Sequence, residues 1–271
     1  MHQFALTIHY QTVTGKGKTK AILNQKMKDS KAWFESWFDS PYYHILYKDR
    51  DMKEAEEFID HLMDRLHLPS GSKILDMGCG KGRHSVYLNR KGYNITGIDL
   101  SKENIAYCKQ FENENLQFFE HDMRRIFRTN YFDVVVNLFT SFGYFAQQHQ
   151  NELPILAAAK GLNKGGYLVV DFFNSHSVLK QLPHNSVKEV NGIKFNINKK
   201  IENDFIIKDI EFEDQGKKFS FREEVRILLL EDFHQFYMHA GLEIISIYGD
   251  YQLNEFKIGE SPRLIMITRK L

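Results

Sequence analysis

The chain has 271 residues with a formal net charge of +1, 42% hydrophobic and 26% charged residues. That length suits one α/β core plus an accessory element, and near-neutrality withholds the broad basic footprint of a phosphate-dominated binder, which disfavours nucleic acid as partner. No apolar run approaches a membrane span and no charged-then-apolar segment opens the chain, so the expected address is cytoplasmic without membrane attachment; Cys79 and Cys108, the 2 cysteines, form neither a metal-ligand spacing nor a disulfide framework.

In chain order, residues 1–27, with the basic stretch Thr14–Lys20, lack periodicity and read as a flexible leader, with a phosphate-touching arm as the alternative. Residues 28–69 read as helical. Trp33, Phe34, Trp37 and Phe38 recur at helical spacing before Ser40-Pro41, and Ala55, Ile59, Leu62 and Leu66 follow Met52 on one helical face. The expected arrangement is an N-terminal cap over the carboxyl edge of the sheet that follows. Tyr42, Tyr43 and Tyr47 are either helix-packing aromatics or a lid over a bound cation; Tyr43 and Arg50 are the cap residues expected near the ligand.

From residue 70 an alternating strand–helix rhythm begins. Strand Lys73–Met77 runs into Gly78-Cys79-Gly80-Lys81-Gly82, where glycines allow positive φ and close backbone approach at the start of a helix. The run lacks the G-x-G-x-x-G spacing of a pyrophosphate cradle, and it carries Asp76. An acid there repels a pyrophosphate and suits a ligand with an ammonium group; S-adenosylmethionine is such a ligand, whereas NAD is disfavoured. Cys79 is expected in the loop because it is small. The second apolar run, Asn94–Asp99, ends in an acid placed for a ribose. Ser101 is a helix N-cap, Leu116–Glu120 a third strand, and the apolar run Phe132–Phe139 a buried parallel strand interrupted by Asn137.

Residues Ile74–Gly82, Gly97–Ser101, His121–Met123, Phe132–Asn137 and Leu162–Leu168, in that order, resemble the motifs of the class I S-adenosylmethionine-dependent methyltransferases, in their small-molecule form with a methyltransferase domain of the 25/11-like kind. The resemblance covers roughly residues 70–175 and agrees with the closing elements over 225–271. It implies a Rossmann-like α/β fold, with a seven-stranded, mostly parallel sheet, helices on both faces and an antiparallel edge made by the last two strands. It also implies S-adenosyl-L-methionine as cofactor, with S-adenosyl-L-homocysteine as product. Cofactor-binding positions are then Asp76, Gly78, Cys79, Gly80, Asp99, Leu100, Asp122, Met123, Asn137 and Phe139, joined by Tyr43 and Arg50. In the family, the acid matched by Asp122 accepts from the adenine amino group, the next backbone reads the ring, and the loop after the Asn137 strand meets both methionine and substrate.

A helix over about Asn151–Leu162 and a strand Tyr167–Phe172 follow, and then the rhythm breaks. Between 187 and 230, Phe195–Ile201, Ile206–Phe212 and Phe219–Leu229 alternate apolar and polar residues, which predicts an antiparallel β-meander inserted on the substrate side of the 70–271 core. Such an insertion either covers the substrate mouth or forms a dimer contact, so monomer and homodimer both stay open. Helix Glu231–His239 and strands Glu243–Gly249 and Arg263–Lys270 close the chain, with loop 250–256 able to reach the cleft.

An activated methyl donor needs no nucleophilic triad; the protein orients the reactants and manages the acceptor's proton. Tyr43, Tyr144 and His176 are the expected proton-handling residues, with His44 and Asp250 as further candidates, and no metal is expected. The function expected is methyl transfer to an N, O or C nucleophile of a small molecule; the alternatives are an RNA or protein methyltransferase, or a non-catalytic S-adenosylmethionine-binding protein.

Overall fold

The structure, a computed structural model, describes residues 37, 38, 40–48 and 52–271. The expected leader and Arg50 lie outside the described residues. The core is a seven-stranded sheet in the order β10-β11-β5-β4-β1-β2-β3, formed by β1 (Lys73–Met77), β2 (Asn94–Asp99), β3 (Leu116–Glu120), β4 (Phe132–Asn137), β5 (Leu162–Phe173), β10 (Leu242–Tyr248) and β11 (Arg263–Lys270). Strands β1 to β5 are parallel, and β11 runs antiparallel to both β5 and β10. The Rossmann-like expectation, with its antiparallel edge, is met.

The strands form because their apolar runs bury both faces of the sheet. Alternate residues go to opposite sides. Leu75, Met77, Val135, Leu168 and Val170 pack with Ile155 and Phe233 of the helices α5 (Gln148–Gly161) and α7 (Leu230–Ala240). Ile74, Val134, Val136 and Val169 pack with Phe58, Leu62, Leu88 and Ile105 of the helices α2 (Met52–Leu66), α3 (Arg83–Arg90) and α4 (Lys102–Cys108). Ser101 caps α4 as its sequence position predicts, accepting from Asn104 N at 3.0 Å. Helix α5 starts at Gln148 rather than Asn151, with Pro154 inside it.

The expected cap over 28–69 divides. Helix α2 belongs to the core, with Phe58, Ile59 and Leu62 buried and Asp60 accepting from Tyr87 on α3 at 2.9 Å. The short helix α1 (Pro41–Leu46) instead lies on the inserted sheet. That insertion has four strands, β6 (His184–Val190), β7 (Ile193–Glu202), β8 (Phe205–Asp214) and β9 (Lys217–Arg226). The first strand escapes sequence reading because it is an edge strand exposed along most of its length, so its side chains carry no apolar alternation. Residues after Arg226 leave the sheet: Asp232 Oδ2 accepts from Leu229 N at 2.9 Å and starts α7. The helix α6 (Ser175–Leu179) joins β5 to the insertion.

The inner face of the insertion carries Phe195, Ile210, Phe212 and Phe221 against Trp37 and Leu46. Its tip reaches the core edge, where Arg226 N donates to Gly143 O at 2.7 Å. Among the described residues no helix is long and apolar enough to cross a membrane.

Two glycines fit the core because a ring sits on them. A Cβ at Gly97 would lie 2.5 Å from Phe118 Cδ1, and one at Gly82 would lie 2.8 Å from the same ring. Gly97→Ala is therefore expected to destabilise the fold by about 1–3 kcal/mol through overpacking, measured from denaturant midpoints. Combining it with Phe118→Leu should cost less than the sum of the two single changes; strict additivity would refute the assigned clash.

Candidate cofactor site

Parallel strands that end together place their next residues along one edge, where open α/β folds bind ligands. Along this edge stand Asp122 and Met123 after β3, Asp99 ending β2, the glycine loop after β1, Asn137 ending β4, and Asp171 near the end of β5.

The glycine loop is closed on itself. Gly78 N and Cys79 N donate to Ile98 O at 2.8 and 3.0 Å, Gly82 N to Cys79 O at 2.9 Å, and Gly80 N to Asp99 Oδ2 at 2.8 Å. These amides are spent inside the protein, so the loop is not a phosphate nest of the kind built from converging N–H groups. Its glycines also separate by role. A Cβ at Gly78 would meet Ser141 Cβ at 2.8 Å, whereas a Cβ at Gly80, with φ +54°, would meet nothing within 4 Å. Gly80 alone of the three faces open space, and Gly82 is a packing residue under Phe118.

Asp76 is 2% exposed and accepts from Ser85 Oγ on α3 at 2.6 Å. Burial pushes its carboxyl up to about 6; the Ser85 hydrogen bond opposes this, the neighbouring Asp99 adds to it, and Arg83 opposes it. Asp99 Oδ1 accepts from Ser101 N at 2.8 Å, so each of its oxygens is held by one backbone amide. Beside it Leu100 is 40% exposed, an apolar surface at the edge. Burial also raises the Cys79 thiol, after its larger cause, a hydrogen bond with Cys108.

Asp122 is engaged more than its position in sequence foretells. Arg124 clamps it through Nε at 3.0 Å and Nη2 at 2.6 Å, and Arg124 N donates to Oδ1 at 3.0 Å. Burial alone would raise this carboxyl, but the guanidinium holds it below its usual value. The Met123 side chain reaches the glycine loop, its Cε 3.5 Å from where a Gly78 Cβ would stand.

Asn137 is fully buried. Its amide nitrogen donates to Met77 O at 2.8 Å and to Ser141 O at 3.3 Å, while Oδ1 has no hydrogen-bond partner. Next come Phe139 and Thr140 at φ 57° and 62°, a left-handed pair in which neither residue is glycine. Each costs of order 1–3 kcal/mol, and strain of this kind clusters at functional sites. Phe139 stacks on His84 at 4.6 Å between ring centroids, and the Arg83 guanidinium lies 5.0 Å from its ring.

Of the expected proton-handling residues, Tyr43 and Tyr144 both pack on the ring of Phe38. The Tyr144 hydroxyl donates to Thr140 O in its own loop, and its ring lies 5.5 Å from Phe38. Tyr43 packs among Trp37, Phe38 and Tyr47 at 5.6, 5.1 and 4.9 Å. His176 lies in the first turn of α6, its backbone amide donating to Asn174 Oδ1 at 3.2 Å, and no hydrogen bond, ion pair or ring contact among the described residues joins its imidazole to the glycine loop. Asp250 is taken up as a loop cap, accepting from Gln252 N and Asn254 N at 3.0 Å each. Among the described residues no group of metal-ligating side chains occurs.

Sequence reading passed over Ser85, Ser141, Arg83 and Arg263. Arg83 directly follows the glycine run and was open to notice as a cation at a helix start. Arg263 was not, because it arrives from the last strand: its Nε donates to Asp171 Oδ1 at 2.8 Å and its Nη2 to Thr140 Oγ1 at 2.8 Å.

Comparison with known proteins agrees with this geometry. Residues 74–166 match the family model described as a methyltransferase domain. YqeM of Bacillus subtilis (strain 168), itself provisionally named a methyltransferase, is 25% identical over 215 residues, which cover 75% of this chain and 86% of that protein. A Streptomyces venezuelae enzyme, dTDP-3-amino-3,4,6-trideoxy-alpha-D-glucopyranose N,N-dimethyltransferase, is 28% identical over 131 residues, 48% of this chain and 54% of its own. The crystal structure of an S-adenosylmethionine-dependent methyltransferase from Clostridium acetobutylicum ATCC 824 superposes with a TM-score of 0.72 at 20% identity, covering 84% of this chain and 96% of that one, and so shares the fold. Residues 74–166, from β1 through the glycine loop to the start of β5, thus carry a methyltransferase domain, and the core of the chain resembles the class I S-adenosylmethionine-dependent methyltransferases.

Proposed function

We propose that the chain moves a methyl group by in-line displacement to an N, O or C nucleophile of a small-molecule acceptor, and that an amine is the acceptor to try first. The observation that carries the cofactor half is the glycine loop whose amides at 78, 79, 80 and 82 are used internally, flanked by the carboxylates of Asp76 and Asp99. Such an edge offers acceptors rather than donors, which suits a ligand bearing an ammonium and a sulfonium and repels a pyrophosphate. The acceptor half rests on the Streptomyces relative, which acts on an amino sugar nucleotide, and on the aromatic segment around Tyr43.

S-adenosylmethionine, when bound, supplies a methyl group on positively charged sulfur, already activated for displacement. In this proposal Asp99 accepts from the ribose hydroxyls, Asp122 and the Met123 backbone read the adenine, and Leu100 walls it. Gly78, Cys79 and Gly80 pass the ligand backbone-first. Asp76 balances the ammonium charge from beneath, and Arg83 pairs with the carboxylate. The unsatisfied Asn137 Oδ1 accepts from the amino-acid end, and Phe139 closes that side. Tyr43, Tyr144 and His176 stay as candidates to take the acceptor's proton, and Arg50 as a further cofactor contact. The working units proposed are a leader over 1–27, a helical segment over 28–69 and the core over 70–271 with its insertion on the substrate side. A cytoplasmic protein, monomeric or homodimeric, accords with this reading.

Calorimetric titration with S-adenosylmethionine, S-adenosylhomocysteine and NAD tests the proposal: saturable binding of the first two alone is expected, and binding of NAD alone would overturn it. Gly80→Val should abolish binding and leave most of the fold, because the added side chain enters open space rather than the core, at a backbone strain of about 1–3 kcal/mol for a β-branched residue at φ +54°. Asp99→Ala should weaken binding by roughly 10-fold to 100-fold, the worth of hydrogen bonds to a charged acceptor; unchanged affinity would mean that Asp99 is misplaced in this scheme.

Asp76 gives a pH test with a definite sign. Its folded carboxyl titrates near 6, above the ordinary 3.8, so its contribution to stability is present below the ordinary value and lost as pH rises through about 6. The ionised form at neutral pH therefore costs the ligand-free protein about 3 kcal/mol, and a cationic ligand recovers part of it. Affinity should fall as pH drops from 7 to 5. Asp76→Asn should raise the melting temperature of the ligand-free protein at pH 7.5, weaken S-adenosylmethionine binding and flatten its pH profile; a profile as steep as that of the unchanged protein would exclude Asp76 as the titrating group.

A further inference from the structure

We infer that Arg263, acting through Asp171 and Thr140, is a positioning residue for the methionine end of the cofactor site. The inference rests on the reading that this end lies between the glycine loop and the loop after β4. It goes beyond that reading because Arg263 and Asp171 lie on β11 and β5 and are not among the residues proposed to touch the ligand.

The starting point is the left-handed pair Phe139–Thr140. Among the described residues the other adjacent pair of non-glycine residues with positive φ is Asn203–Asp204, in the hairpin turn between β7 and β8, where short polar side chains favour that conformation. Phe139 and Thr140 have no such excuse: one is bulky and the other β-branched. Something outside the loop must impose their conformation.

That constraint comes from two other strands. Asp171, 0% exposed, accepts from Phe139 N through Oδ2 at 2.8 Å, and its main-chain oxygen accepts from Thr140 N at 3.2 Å. Arg263 donates to the second carboxylate oxygen through Nε at 2.8 Å and approaches it with Nη2 at 2.6 Å, while Nη2 also donates to Thr140 Oγ1 at 2.8 Å. The Tyr251 ring lies 5.1 Å from that of Phe139 and 5.4 Å from the Arg263 guanidinium. Both backbone amides of the turn and the Thr140 hydroxyl are thus addressed from the β5 and β11 side, and the charge-assisted bonds are of the stronger kind.

The turn leads straight to the glycine loop. Ser141 Oγ donates to Gly78 O at 3.4 Å, and its Cβ leaves no room for a Cβ at Gly78. Phe139 carries His84 and Arg83 on its ring. If Phe139–Thr140 relaxed to an ordinary conformation, Ser141 and the Phe139 ring would move together, and with them the surfaces facing the amino-acid end. The adenosine end, held by β2 and β3, would not move.

Two probes separate those ends: S-adenosylmethionine and 5′-methylthioadenosine, which lacks the amino-acid portion. On the full chain, Thr140→Val removes the hydroxyl acceptor and leaves the buried ion pair intact; Thr140→Ser restores the hydroxyl; Arg263→Lys keeps the charge and loses the fork. Calorimetry is expected to show S-adenosylmethionine weakened about 10-fold or more by Thr140→Val and by Arg263→Lys, and within about 2-fold of the unchanged protein for Thr140→Ser. Methylthioadenosine should stay within about 2-fold throughout. If Thr140→Val, which spares the ion pair, binds both probes as the unchanged protein does, or weakens both equally, the positioning role is overturned and the cofactor reading stands. If the unchanged protein binds neither probe, both fall.

Discussion

The amides of Gly78, Cys79, Gly80 and Gly82 all donate to acceptors within the protein, and the chemistry of the carboxyl edge depends on that arrangement. A glycine-rich turn at a helix start ordinarily presents N–H groups and attracts anions. Here Ile98 O, the Asp99 carboxylate and Cys79 O take those donors first. What is left facing outward is backbone without side chain at Gly80, with the carboxylate of Asp76 beneath. The same hydrogen bond that closes the loop, Gly80 N to Asp99 Oδ2, fixes the carboxylate proposed to meet the ribose, so loop and acid hold each other in place.

Asp76 shows what such an arrangement costs the empty protein. A carboxylate sealed under α3 with Ser85 as its hydrogen-bond donor is poorly solvated, and its raised pKa expresses that free-energy deficit. A cationic ligand is the partner that relieves it. Stability and binding are set against each other at this position, as is common where a functional group is buried. The turn at Phe139–Thr140 is a second instance, a strained backbone kept in place by a buried ion pair drawn from β5, the strand next to β4, and from β11 beyond it.

The insertion extends this logic away from the core. Its inner face buries phenylalanines against Trp37 and Leu46, yet it also holds Lys208 and Glu223 as a cross-strand pair. Glu223 accepts from Trp37 Nε1 at 2.7 Å and from the Tyr47 hydroxyl at 2.6 Å. A mostly covered polar pair with matched partners fixes the register of α1 on the sheet more narrowly than apolar contact does. At the tip of β9, Arg226 N bonds Gly143 O, which ties the insertion to the loop after β4 and so to the glycine loop.

Much of the core was legible in the sequence, because local chemistry dictates it. Continuous apolar runs such as Val134–Val136 have one stable use, a strand covered on both faces, and Ser101 has one good use before a helix. Asp76, Gly80 and Asp99 could be placed at strand ends because the period of the pattern stops there. The edge strand β6 was not legible, since its more covered face carries Ser186 and Lys188 before Val190 while Val187 points out, so no apolar alternation marks it as a strand. Nor was the split of the helical segment 28–69 between core and insertion, because an amphipathic face shows that something covers it without saying what. The division of labour among Gly78, Gly80 and Gly82 likewise depends on Ser141, from the loop after β4, and Phe118, from β3. Arg263 is the clearest case: nothing near it in the chain announces a partner, and only the antiparallel pairing of β11 with β5 brings it to Asp171 and, through that carboxylate, to Thr140. Sequence by itself determined the elements and the acids that end them, since those follow from residue type and local spacing; tertiary structure decided which distant side chains saturate, strain and orient them, since strand order is a property of the whole chain.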